Sequence, residues 1–263
     1  MTTTQLTILG FVLLFLGTTL GSAVVLFVRK ELSERLNTLF LGFAGGIMIA
    51  ASVWSLLIPA IDSASAKWGD LSWVPAAIGF LIGGLFLVLL DRVIPHIHNH
   101  THEEEGPKSQ IHKTIKLFFA VTIHNIPEGL AVGFAFGAAA VAGDMAAYMA
   151  ALGLAIGICV QNIPEGAAVA LPMRNVVGSN RRAFWFGTAS GVVEPLSALL
   201  GYYLSTHIID LHPWMLAFAA GAMIFVVAED LIPDAKISEH SHLGTWGVMA
   251  GFTVMMILDV ALG

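Results

Sequence analysis

The string His124-Asn125-Ile126-Pro127-Glu128-Gly129 recurs as Gln161-Asn162-Ile163-Pro164-Glu165-Gly166, each copy inside an otherwise apolar run. Each copy puts a carboxylate, an amide and a helix-disrupting proline where hydrocarbon is expected, and the first adds an imidazole. An ionisable group inside a membrane span is costly and marks a functional site by default. Two such costs in matched positions point to one polar site built by an internal repeat. His124 and Glu128 lie on one face of a helix, about 6 Å apart along its axis, so both can reach one cation. Asn125 adds an amide oxygen. Pro127 removes a backbone donor and frees the carbonyl near Ile123, and Pro164 does the same near Val160. Free carbonyls at membrane depth are tolerated only where they face protein, water or an ion. A lone buried histidine is usually a hydrogen-bonded core residue; with Glu128 beside it in a repeated motif, the ligand reading is favoured.

Further donors come from other spans. Gln161, Asn162 and Glu165 repeat the arrangement; the alternative for the two amides is interhelical hydrogen bonding. Glu194, followed by Pro195, is a third carboxylate, or else a helix-packing acid. Met48 offers a thioether, or simply fills the core. Met48, Glu128 and Glu194 fall near the middle of their spans, and Glu165 lies somewhat towards the cytoplasm. Carboxylates at similar depth in low dielectric need protons or a divalent cation. One imidazole, several carboxylate and amide oxygens and a thioether suit first-row metals such as Zn²⁺, Fe²⁺ or Mn²⁺. Glu229 and Asp230 either line an exit path or sit near the interface. Asp259, near the outer end of the last span, reads as solvated. The tract His96-Ile97-His98-Asn99-His100-Thr101-His102, followed by Glu103, Glu104 and Glu105, is a metal-capture candidate built from His96, His98, His100 and His102; the bland reading is a solvated linker.

The chain that must position these groups has 263 residues, 57% hydrophobic and 11% charged, against about 25% charged in soluble domains. It reads as an all-α integral membrane protein. A net charge of −6 argues against a nucleic-acid partner, which needs a basic footprint. Spans of about 20 apolar residues fall at 5–28, 38–60, 73–94, 115–138, 147–172, 183–206, 213–233 and 244–262, with a His-rich loop at 95–113, in one transmembrane domain. Of the 12 Lys and Arg, only Lys67 lies outside the loops after spans 1, 3, 5 and 7 or their edges. The positive-inside rule makes those loops cytoplasmic and both termini extracytoplasmic. Phe43-x-x-Gly46-x-Met48-Ile49 with Pro59 in span 2 is echoed by Phe218-x-x-Gly221-x-Met223-Ile224 with Pro233 in span 7. Those spans run in opposite directions, as do spans 4 and 5. The layout is a 3+2+3 inverted repeat, which with broken helices at the midplane is a transporter signature.

At these residues the chain resembles the ZIP family of divalent metal transporters, in its bacterial GufA-like branch. The resemblance covers the whole length: eight spans, the His-rich loop after span 3 and both Pro-Glu-Gly motifs. It implies uptake of Zn²⁺ and related metals (Cd²⁺, Fe²⁺, Mn²⁺, Co²⁺) into the cytoplasm, in a bacterial inner membrane, with the metal as substrate rather than cofactor. By that resemblance His124, Glu128, Gln161, Glu165 and Met48 surround one metal. Asn125, Glu128, Asn162, Glu165 and Glu194 surround a second, with Glu128 and Glu165 bridging. Ser55 falls where family members place an entrance residue. Many relatives carry histidine at the Gln161 position, and some bacterial ones aspartate at the Asn162 position, so this chain places less charge around the second metal.

Two other classes stay open at the level of sequence. An intramembrane zinc hydrolase would use a metal-bound water, but the chain has no HEXXH motif, and the expectation is that it is not an enzyme. A metal-selective channel or an exporter would use the same ligands. The sequence also leaves open whether the assembly is a homodimer, and whether transport proceeds by rocking or by sliding of spans 1, 4, 5 and 6 against the rest.

Overall fold

The computed structural model describes residues 1–28, 32–94, 112–235 and 242–262, with the backbone of 96–97 and 104–105. Eight helical segments in these residues are long and apolar enough to span a membrane: α1 Thr3–Phe27, α2 Glu34–Leu71, α3 Trp73–Val93, α4 Lys113–Ala142, α5 Met145–Val177, α6 Asn180–His207, α7 Ile209–Asp234 and α8 Leu243–Leu262. The expected all-helical fold with eight spans is what the chain adopts. A two-residue antiparallel pair, β1 His96–Ile97 with β2 Glu104–Glu105, follows α3, and β1 lies against α4. The other loop histidines, His98, His100 and His102, lie outside the described residues. Chain direction alternates, so one face carries the ends of α1 and α8 (the terminal face) and the other carries the loop after α3 (the loop face).

Helix caps set several boundaries. Thr2 and Gln5 form a reciprocal capping box at the start of α1. Asp144 caps α5 through the Ala146 amide. Gly143 and Gly178 end α4 and α5 in the left-handed conformation, which glycine adopts without steric cost. Neither Pro127 nor Pro164 ends its helix; α4 and α5 run through them.

The helices pair as an inverted repeat requires. α1 packs along α5, as α6 packs along α4; α8 packs along α2, as α3 packs along α7. These pairs are close because glycines let backbones touch. A Cβ on Gly166 of α5 would sit 2.2 Å from the Thr18 carbonyl oxygen of α1, and a Cβ on Gly129 of α4 would sit 2.3 Å from that of Glu194 on α6. A Cβ on Gly83 would sit 2.0 Å from the Phe218 carbonyl oxygen, and one on Gly251 would sit 1.9 Å from that of Phe43. Side chains larger than hydrogen cannot enter such contacts, a recurrent device in membrane helix packing. The result is two four-helix bundles, α1/α4/α5/α6 and α2/α3/α7/α8.

The bundles meet less evenly. α2 packs on α5, and α7 on α4, in matching fashion, and α8 packs along α5; its repeat counterpart α3 makes no comparable contact with α4. On the α8 side, Met255 lies against Gly157, towards the terminal face. The repeat extends to local geometry. Both α2 and α7 widen into π-helix, over Ser52–Leu57 and Val227–Leu231, each starting four residues after its methionine, Met48 or Met223. A π-segment shifts the side chains that follow it around the helix and is often found at functional sites. When Met48 is laid on Met223, Ser55 falls on Asp230; when Gly83 is laid on Gly251, Asp91 falls on Asp259.

Candidate metal site

The α4 and α5 motifs face each other across the centre of the first bundle. Asn125, Glu128, Gln161, Asn162 and Glu194 are all buried, the last four completely. They form one hydrogen-bonded chain. The Gln161 amide donates to Glu128 Oε1 and to Asn162 Oδ1 at 3.1 Å. Asn162 Nδ2 donates to Glu194 Oε2 at 2.5 Å. Asn125 Nδ2 donates to Glu194 Oε1 at 3.1 Å and to the Ser190 carbonyl at 3.1 Å. Thr18 of α1 closes the chain, its hydroxyl donating to Glu194 Oε1 at 2.7 Å. Glu194 reaches this position because α6 turns at Gly191–Val192 between two helical pieces, Asn180–Ser190 and Val193–His207. The carboxylate thus sits in the first turn of the second piece, where the helix dipole favours negative charge. A Cβ on Gly191 would sit 2.7 Å from Thr18 Cβ, so glycine there admits α1.

Three oxygens in this chain have no partner although they are buried: Asn125 Oδ1, Glu128 Oε2 and Gln161 Oε1. Amide oxygens and a carboxylate are acceptors, and an unmatched buried acceptor costs about 1–3 kcal/mol. Three in one hydrogen-bonded group, two of them on the directly bonded pair Glu128 and Gln161, offer oxygen ligands. Among the described residues, no three His, Cys, Asp or Glu side chains group as a metal cage; the set that converges is mixed, with amides between the acids.

The remaining predicted residues are distributed as follows. Met48 is fully buried on the part of α2 that packs towards α5 and α7. His124 meets Asp230 of α7, with Nε2 3.1 Å from Asp230 Oδ2, so it links the two bundles. Glu165, one turn beyond Gln161, is partly exposed, as are His124 and Asp230; all three lie towards the loop face. Glu229 is exposed. Ser55 lines a cavity of about 490 Å³ at the terminal face, with Trp54, His212, Asp259 and alanines of α4 and α5. Asp259, expected to be solvated, is instead partly buried, and it accepts the Ser55 hydroxyl at 2.6 Å. The end of α8 lines this cavity instead of projecting into solvent.

Sequence reasoning passed over Thr18. A hydroxyl pair, Thr18-Thr19, in the middle of an apolar span was the available signal, but threonine can satisfy itself within its own helix. It also held two readings of Asp230; only the fold brings it to His124.

The family model described as ZIP Zinc transporter matches residues 4–117 and 98–259. The chain belongs to the ZIP family. ZIP relatives include the protein named Zinc transporter ZIPB of Bordetella bronchiseptica, 38% identical over 97% of this chain and 81% of that one. Zinc transporter ZIP11 of Homo sapiens is 35% identical over 94% of each, and Zinc transporter GufA of Myxococcus xanthus is 35% identical over 95% of this chain and 97% of that one. ZIP membership and these names point to transporters rather than enzymes, which removes the hydrolase reading.

Proposed function

We propose that this ZIP protein carries divalent transition-metal ions, Zn²⁺ first among them, into the cytoplasm through the α4/α5/α6 site. The observation that carries the reading is the trio of buried, unpartnered oxygens on Asn125, Glu128 and Gln161. His124, Glu165 and Met48 complete the proposed ligand set, with Asn162 and Glu194 hydrogen-bonded to each other beside it. The names of the relatives support zinc as the cargo.

Direction follows from charge. The basic loops make the loop face cytoplasmic and put both termini outside, in a bacterial inner membrane. Metal enters from the vestibule that holds Ser55 and Asp259 and sheds water at the site. It leaves past His124 and Asp230, where the site's partly exposed groups lie, towards the histidines of loop 95–113. Met255 packed on Gly157 closes the terminal side of the bundle contact, and the α3–α4 side lacks that closure. Exchanging these two arrangements opens the site alternately to each face, with the first bundle moving against the second.

Metal flux into proteoliposomes of known orientation tests this. Zn²⁺, Cd²⁺, Fe²⁺, Mn²⁺ and Mg²⁺ are offered separately to the wild-type protein and to Glu128→Ala. Saturable first-row flux that disappears in the variant is expected. Equal flux in both proteins would sink the proposal, and a unitary conductance would replace it with a channel.

A further inference from the structure

Thr18 and Glu194 hold equivalent positions in the two halves of the repeat. Gly166 lies against the Thr18 carbonyl as Gly129 lies against that of Glu194. Their side chains meet each other at 2.7 Å, so they straddle the pseudo-two-fold axis. An acid at both positions would set two carboxylates against each other in low dielectric. This chain instead has one acceptor and one donor there. We propose that Thr18 is a positioning residue which, with the amides of Asn125 and Asn162, commits Glu194 to hydrogen bonding, so that the site loads one divalent ion and Glu194 is not a ligand.

The hydrogen-bond map supports this. Both Glu194 oxygens are engaged: Oε1 by Thr18 and Asn125, Oε2 by Asn162. The amides cannot simply turn over to offer oxygen to an ion beside Glu194. Asn125 Nδ2 also serves the Ser190 carbonyl, which accepts only. Asn162 oriented the other way would aim an oxygen at a carboxylate and a donor at the Gln161 amide nitrogen. Within this hydrogen-bonded group the unpartnered oxygens instead belong to Asn125, Glu128 and Gln161, and the Gln161–Glu128 hydrogen bond ties two of them to one locus. Buried polar oxygens need partners, and those of Glu194 have them in three neutral donors without a cation.

The inference rests on the metal-site reading above, and one experiment separates their failures. The full-length protein in detergent is dialysed to equilibrium against Cd²⁺, and the ions lost on Glu128→Ala are counted, which removes any held by the histidine loop. One ion is expected for the wild type. Asn162→Asp, which sets a second carboxylate against Glu194, is expected to raise the count to two. Thr18→Val, which strips a donor from Glu194, is expected to do the same, while Thr18→Ser keeps it at one. Two ions in the wild type would overturn the inference. A count of one for both Thr18→Val and Thr18→Ser would remove Thr18 from it. No ions lost on Glu128→Ala would defeat the metal site itself.

Discussion

On α4, Gly129 lies against a carbonyl of α6, and on α5, Gly166 lies against a carbonyl of α1, at nearly the same distance. The two copies of the motif differ in what their polar groups meet. Glu128 is fully buried and holds an unpartnered oxygen, whereas Glu165 is partly exposed. His124 reaches across to Asp230 in the other bundle, whereas Gln161 stays within its own bundle and donates to Glu128. The glycine and proline positions preserve the pairing of helices, and the first position of each string has diverged to set chemistry. The mouths differ in the same way: Ser55 at the terminal face stands where Asp230 stands near the loop face. Each mouth thus holds one acid, Asp259 paired with the Ser55 hydroxyl at the terminal face and Asp230 paired with the His124 imidazole near the loop face.

The sharpest way to break this comparison is to show that the two glutamates are equivalent. Glu128→Ala is expected to lower uptake by at least ~100-fold, about 2.7 kcal/mol, and Glu165→Ala by less, because water reaches Glu165. Equal losses in radiometal uptake would void the distinction drawn from burial. The shared packing is tested next. Gly129→Val and Gly166→Val should each destabilise the protein by about 1–3 kcal/mol or more, read as a lower thermal transition in detergent. A variant that melts like wild type would mean the helix pair separates without cost.

Smaller effects address the first position. Gln161→His should tighten Zn²⁺ binding by roughly tenfold, about 1.4 kcal/mol, by adding an imidazole, the better first-row ligand, and should slow turnover. Unchanged affinity by titration calorimetry would mean that position 161 does not face the metal. Asp230→Asn, which keeps the shape and removes the charge beside His124, should reduce maximal uptake by several-fold with little change in KM; a change confined to KM would move Asp230 to the entrance. Ser55→Ala is expected to raise KM about two- to threefold, roughly 0.5 kcal/mol, the low end of the net contribution of one hydrogen bond.

Much of the fold was legible because the membrane restricts the choices. Spans, their number and the repeat of α2 in α7 followed from apolar length and from small residues at recurring positions. The π-segments that follow Met48 and Met223 did not, since widening of a helix answers to packing from its neighbours rather than to local propensity. The site residues were legible as types, because polar groups stand out in hydrocarbon. Their partners were not: His124 and Glu128 share a helix face, yet the imidazole turns to Asp230. Thr18 was passed over because a hydroxyl carries little cost in a span.

From sequence alone came an eight-span helical protein with an inverted repeat and a polar centre built on two matched motifs, because unpaired charge and proline are expensive in hydrocarbon and survive only with a purpose. Tertiary structure decided which of those polar groups meet. Hydrogen bonds and ion pairs act over a few ångströms, and distant residues come within that range only in the fold: Thr18 and Glu194 where glycine contacts bring their helices together, His124 and Asp230 where α4 packs on α7.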